Sequence, residues 1–111
     1  MKILDLALKA KWYDMIESGE KREEYRDYKN YWIKRLINEE TLRLKPYTHV
    51  RFRYGYTKRT MLFEIDSITV GMGLPGWGAP TYREVFIIKL GQRLCKSHEP
   101  VSLFKKPKNY G

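Results

Sequence analysis

At 111 residues and 42% apolar side chains, the chain fits a folded protein rather than a disordered one and is expected to form one globular domain around a single modest core. No apolar run approaches the roughly 18 residues of a membrane span, and the opening Met1-Lys2-Ile3-Leu4-Asp5-Leu6 has no signal-peptide core, so a cytoplasmic location away from membranes is expected. The net charge of +9 favours a polyanionic partner, while the single cysteine, Cys95, excludes an internal disulfide and a multi-cysteine zinc site; no metal and no cofactor is expected.

In chain order, Lys2 to Leu8 alternates and reads as a first strand. Lys9 to Ser18 reads as a short helix, with Trp12 and Ile16 four apart on one face and Gly19 where a left-handed cap belongs. Glu20 to Arg26 reads as a second strand. Tyr28 to Asn38 reads as a second helix, capped by Asp27, with Tyr28, Trp32 and Leu36 as its stripe and Ile33 and Ile37 beside them. Trp12, Trp32 and the tyrosines of residues 25–31 are expected to be mainly core or barrel-cap material.

From residue 48 the pattern turns to strands. Val50, Phe52 and Tyr54 alternate with Arg51 and Arg53, which predicts an apolar face and a cationic face. Gly55 to Lys58 forms a hairpin connection. Thr60 to Val70 is a long strand, in which a bulge near Ser67 would turn Ile68 and Val70 inward. Gly71 to Pro80 is a Gly/Pro-rich loop carrying Trp77. Arg83 to Leu90 is apolar enough for a central strand, and the tail from Gly91 is irregular, with a short edge strand at 101–104 and a basic stretch from about residue 105. The fold class is α+β: residues 1–111 as one small barrel of five to six mostly antiparallel strands, OB-like or PUA-like, with two helices inserted near the N-terminus.

The stretch Gly19-Glu20-Lys21-Arg22-Glu23-Glu24-Tyr25-Arg26 carries the candidate site. Strand alternation puts Glu24 and Arg26 on one face and Lys21 on the other. The three converge only if Lys21 lies in the turn after Gly19, or if a bulge separates it from Glu24. A same-face Glu24–Arg26 pair has a structural reading too, as an ion pair closing the barrel. Lys21 is the stronger functional candidate, and its removal is expected to leave the fold intact.

These residues resemble a known family. Gly19-x-Lys21-x-x-Glu24-x-Arg26 fits the G-x-K-x-x-E-x-R motif of the ASCH domain, a branch of the PUA-like superfamily. Leu6-Ala7-Leu8-Lys9 before a Trp-containing helix, Ser18-Gly19-Glu20-Lys21, Trp77-Gly78-Ala79 and Ile87-Ile88-Lys89-Leu90-Gly91 are similar to segments of small bacterial and phage-type members, so the resemblance spans nearly the whole chain. It implies a PUA-like β-barrel with a cleft beside the motif and an RNA- or nucleotide-binding role. It also implies an alternative: some small relatives are amidohydrolases acting on acetylated cytidine, and a ribonuclease activity is attributed to others. Those amidohydrolases use the motif lysine but carry threonine where this chain has Glu24, together with a further glutamate outside the motif.

For a binder, Lys21 and Arg26 would contact phosphate or a base edge and Glu24 would accept from an exocyclic amine. Residues 1–40 are neutral overall, whereas no acidic residue occurs between Thr41 and Phe63, so Arg51, Arg53, Lys58 and Arg59 would track the nucleic-acid backbone. Tyr56 and Trp77 would stack bases, whereas Tyr54 continues the core face. The Trp77 loop reads equally as a movable lid and as a fixed turn. For a hydrolase, either Lys21 is the base, its proton loosened by Arg26 and held by Glu24, or Glu24 is the base and the two cations steady an oxyanion; the second route suits the sequence better, because an ionised carboxylate is already available. Glu64, Asp66 and Glu84 stand as alternatives for a third carboxylate. The partner expected in either case is RNA or a modified nucleoside.

Overall fold

The computed structural model describes residues 1–95; the expected edge strand at 101–104 and the basic stretch from 105 lie outside them. Seven strands and two helices follow one another in the order β1 (Ile3–Leu8), α1 (Ala10–Glu17), β2 (Glu23–Asp27), α2 (Asn30–Leu36), β3 (Ile37–Asn38), β4 (Arg43–Leu44), β5 (His49–Tyr54), β6 (Thr60–Gly71) and β7 (Val85–Leu94). Five strands form one curled sheet, a half-barrel in the order β1-β5-β6-β7-β2. Only β1 and β5 run parallel; every other pairing in this sheet is antiparallel.

One face of the sheet holds the core. Leu4, Leu6 and Leu8 of β1, Phe52 of β5, Met61 of β6 and Phe86 and Ile88 of β7 pack with Tyr13 and Ile16 of α1 and Leu36 of α2. The alternation of β1 therefore does what period-two burial requires. In α1 it is Tyr13, not Trp12, that enters the core with Ile16. Both lie within reach of Ile16 on a helical face, at three and four residues' distance, so spacing alone leaves the choice to how the helix sits on the sheet. Register shifts between Phe63 and Ile65 and between Ile65 and Ser67 break β6 just before the expected bulge. Ile68 then packs on the core, but Val70 stays exposed.

Three expectations fail locally. The second helix is shorter than the sequence pattern, because Ile37 turns extended and Asn38 opens a turn: its Oδ1 accepts from the backbone N–H of Glu40 (2.9 Å) and Thr41 (3.2 Å). Residues 37–38 and 43–44 then pair as the small β3–β4 ladder. Asp27 does not cap α2; Lys29 holds the cap position, and the Asp27 carboxylate binds Arg83 at 3.1 Å instead. Strand β7 also continues past Gly91 to Leu94.

The expected cationic face of β5 is not an open one. Arg51 and Arg53 are only 5% and 7% exposed. β5 is an inner strand: Arg51 lies in register between Asp5 of β1 and Leu62 of β6, and its guanidinium stands 3.6 Å from the Asp5 carboxylate. Burial raises the Asp5 proton affinity against the opposing pull of Arg51, Arg35 and Arg53.

Candidate functional site

Three local features bring the motif side chains together. α1 ends at Glu17 with Ser18 as its cap, and Gly19 adopts φ +86°, the left-handed conformation that glycine takes without steric penalty. The chain reverses there, and the Lys21 N–H donates back to the Met15 carbonyl at 2.9 Å. β2 begins only at Glu23, so Lys21 is in the turn and is not bound by strand alternation. Its side chain can then run to the face that carries Glu24 and Arg26.

The Lys21 ammonium is 3.3 Å from Glu24 Oε1, and it donates to the Trp77 carbonyl. It also stands over two aromatic rings, 4.9 Å from the Trp12 centroid and 4.7 Å from that of Tyr25. The second Glu24 oxygen, Oε2, accepts from Arg26 Nη2 at 2.6 Å. One carboxylate therefore bridges two cations, one on each oxygen. Arg26 continues outward: Nη2 also reaches the Ala7 carbonyl on β1 at 3.3 Å, and the guanidinium lies 4.9 Å from the Trp32 ring centroid. β1 and β2 are the two edges of the sheet, so Arg26 ties one edge of the half-barrel to the other. The structural reading of the Glu24–Arg26 pair thus has a definite geometry.

The cluster is closed over. Lys21 is 2% and Glu24 6% exposed. Burial lowers the Lys21 proton affinity below the ordinary lysine value, opposed by Glu24 and assisted by Arg26. The cover is the loop between β6 and β7, whose single turn of 3-10 helix spans Pro75–Trp77. The Leu74 N–H donates to Tyr25 Oη at 3.0 Å, and Tyr25 Oη donates to Glu23 at 2.8 Å. Burial, opposed by the Leu74 N–H and assisted by Glu23, pushes the Tyr25 hydroxyl up to about 12. A Cβ on Gly73 would lie 2.6 Å from the Tyr25 ring, and one on Gly78 3.1 Å from Trp12. The loop is therefore a packed cap in this state, held by backbone contact that only glycine permits.

The other expected site residues separate from this cluster. Trp77 contributes its carbonyl, and its ring is half-buried. Tyr56 (52% exposed) and Lys58 lie on the β5–β6 turn, a different connection from the one that caps Lys21. Tyr54 packs on the core, edge to face with Tyr13 at 5.1 Å. None of the three candidate third carboxylates stands at the cluster: Glu64 and Glu84 are exposed, and Asp66 pairs with Lys89 at 3.8 Å. The nearby second carboxylate is Glu23, which acts on Lys21 electrostatically and accepts from Tyr25. Glu23, Tyr25 and Trp12 are the site residues the sequence reading passed over. Glu23 and Tyr25 occupy the unspecified positions of the motif, and their adjacency to Lys21 was the available signal.

Among the described residues no helix is long and apolar enough to cross a membrane. The chain has no significant match among known protein families, curated proteins or solved structures.

Proposed function

We propose that this chain is an ASCH-type, PUA-like module that binds RNA or a modified nucleoside, acting in the cytoplasm. The observation that carries the reading is the ammonium of Lys21, buried between Trp12 and Tyr25 with a backbone carbonyl as a partner beside Glu24. The Trp77 carbonyl occupies the place of a ligand oxygen. A base carbonyl or phosphate oxygen entering there would take over the Lys21 hydrogen bond while an aromatic ring is at hand for stacking. Entry requires the 72–79 segment to move away, so the capped state lowers apparent affinity by the fraction of molecules that are open.

Recognition is favoured over catalysis by Glu24. Both of its oxygens are held by cations, so it serves as an anchor for Lys21 and Arg26 and not as a base directed at water. One observation favours the amidohydrolase alternative: burial loosens the Lys21 proton, in the direction a lysine base needs. A screen of acetylated cytidine, other modified nucleosides and single-stranded RNA separates the two. Saturable binding without turnover, weakened in Lys21→Met, supports the module. Deacetylation abolished in Lys21→Met transfers the site to the hydrolase class. Absence of binding to every ligand rejects the proposal.

A further inference from the structure

β2 leads from the Lys21 cluster to a group of exposed aromatic side chains. Just past its end stands Tyr28 (51% exposed), followed by Tyr31 (63% exposed) in the first turn of α2. Across the β2–β7 pairing, where Asp27 lies in register with Val85, the chain before β7 presents Tyr82 at 78% exposure. The two sides are joined. Arg83 binds Asp27 at 3.1 Å, donates to Tyr82 Oη at 3.1 Å and stands 5.4 Å from the Tyr82 ring centroid. Lys29 adds a second exposed cation 3.4 Å from Asp27. Tyr28 is braced from beneath by Phe86 at 5.1 Å.

Three tyrosines exposed around one end of β2 offer rings to a partner. Their chemistry is specific: planar π-faces interleaved with lysine and arginine. Protein interfaces use tyrosine and arginine as well. The charge selects between the partners, since a chain of net charge +9 attracts a polyanion and repels a second copy of itself.

We propose that Tyr28, Tyr31 and Tyr82, flanked by Lys29 and Arg83, form a base-stacking surface for single-stranded RNA that continues from the Lys21 site. This rests on the nucleic-acid reading of that site and extends it from one nucleoside to a short strand. Nucleotides beyond the one at Lys21 pass over the tyrosines, and Lys29 and Arg83 exchange part of their pairing with Asp27 for phosphate.

The test is fluorescence anisotropy with a labelled single-stranded oligoadenylate, alongside calorimetry with acetylated cytidine, on wild type, Tyr31→Ala, Tyr82→Ala, Tyr82→Phe and Lys21→Met. Tyr31 and Tyr82 are exposed enough that their truncation spares the core. Each alanine variant is expected to weaken oligoadenylate binding by roughly fivefold to a hundredfold, with Tyr82→Phe within about twofold of wild type. Nucleoside binding is expected to stay unchanged in the tyrosine variants. Unchanged oligoadenylate affinity in both alanine variants, with a loss in Lys21→Met, overturns this surface and leaves the Lys21 reading standing. Unchanged RNA affinity with reduced self-association in solution also overturns it, and assigns the patch to a second copy. No RNA binding by the wild type overturns it, and a concurrent failure of nucleoside binding removes the reading beneath it.

Discussion

Glu24 determines which substitutions the cluster tolerates. Glu24→Gln leaves Lys21 and Arg26 facing each other without a counter-charge, and such a broken buried pair costs about 3–5 kcal/mol. A domain of this size has a total stability of only about 5–15 kcal/mol, so the loss is large. Lys21→Met removes one charge, fills most of the volume and leaves the Glu24–Arg26 pair at 2.6 Å, so it is expected to cost less. Urea denaturation of the two variants checks the order, and Lys21→Met as the less stable protein contradicts it. The proton on Lys21 gives a second prediction. Burial holds its folded value below the ordinary 10.5, so between the two the unfolded chain binds a proton that the folded chain does not. Stability from this residue therefore rises as pH climbs through that window and is lost as pH falls through the folded value. The stability of wild type minus that of Lys21→Met should increase from neutral pH towards 10.5 in paired denaturation curves. A decrease contradicts the burial assigned here.

Two connections, more than any strand, make the site. The turn at Gly19 was legible because a glycine just past an amphipathic helix marks a left-handed cap, and alternation already required Lys21 to leave the strand to join Glu24 and Arg26. The geometry matches that requirement. The covering loop was only half legible. Its glycines marked an irregular segment, but their purpose depends on which rings lie beneath, and nothing local in the sequence places Tyr25 under Gly73 or Trp12 under Gly78. The same holds for β5. Its alternation was correct, yet the exposure of Arg51 and Arg53 depended on the strand being internal to the sheet, a property of non-local pairing. Asn38 was a missed local signal, since its turn-forming side chain ends the helical pattern of residues 28–38 early. At this scale Gly73→Ala is the informative change. Its Cβ would fall 2.6 Å from the Tyr25 ring and 2.7 Å from Ala79. Overpacking of this kind costs about 1–3 kcal/mol. It should loosen the loop, and hydrogen exchange of the Leu74 amide, which donates to Tyr25 Oη, should accelerate. Unchanged exchange at Leu74 would show that the loop is not held by this contact.

The described residues form a half-barrel whose two edges are joined by a side chain, Arg26 reaching Ala7, and the chain's charge lies mainly beyond residue 40. With Arg51 and Arg53 buried, Lys58 is the exposed cation left of the expected β5-turn set besides Arg59, which pairs with Glu17 at 2.6 Å. RNA affinity should fall steeply with salt, and Lys58→Ala should lower the slope by about one if that turn meets phosphate. Arg51→Ala should instead appear as lost stability, since its side chain is packed beside Asp5. An unchanged melting temperature in Arg51→Ala would contradict its buried placement. The central claim is that the buried Lys21 ammonium is the recognition group for RNA or a modified nucleoside. It is tested most directly by equilibrium binding of single-stranded RNA to wild type and to folded Lys21→Met at the same salt. A charge-assisted hydrogen bond lost from a buried site is worth about 1.5–3 kcal/mol, so the account predicts binding by the wild type and a loss of at least roughly tenfold in the variant. Equal affinity in the two proteins would contradict it.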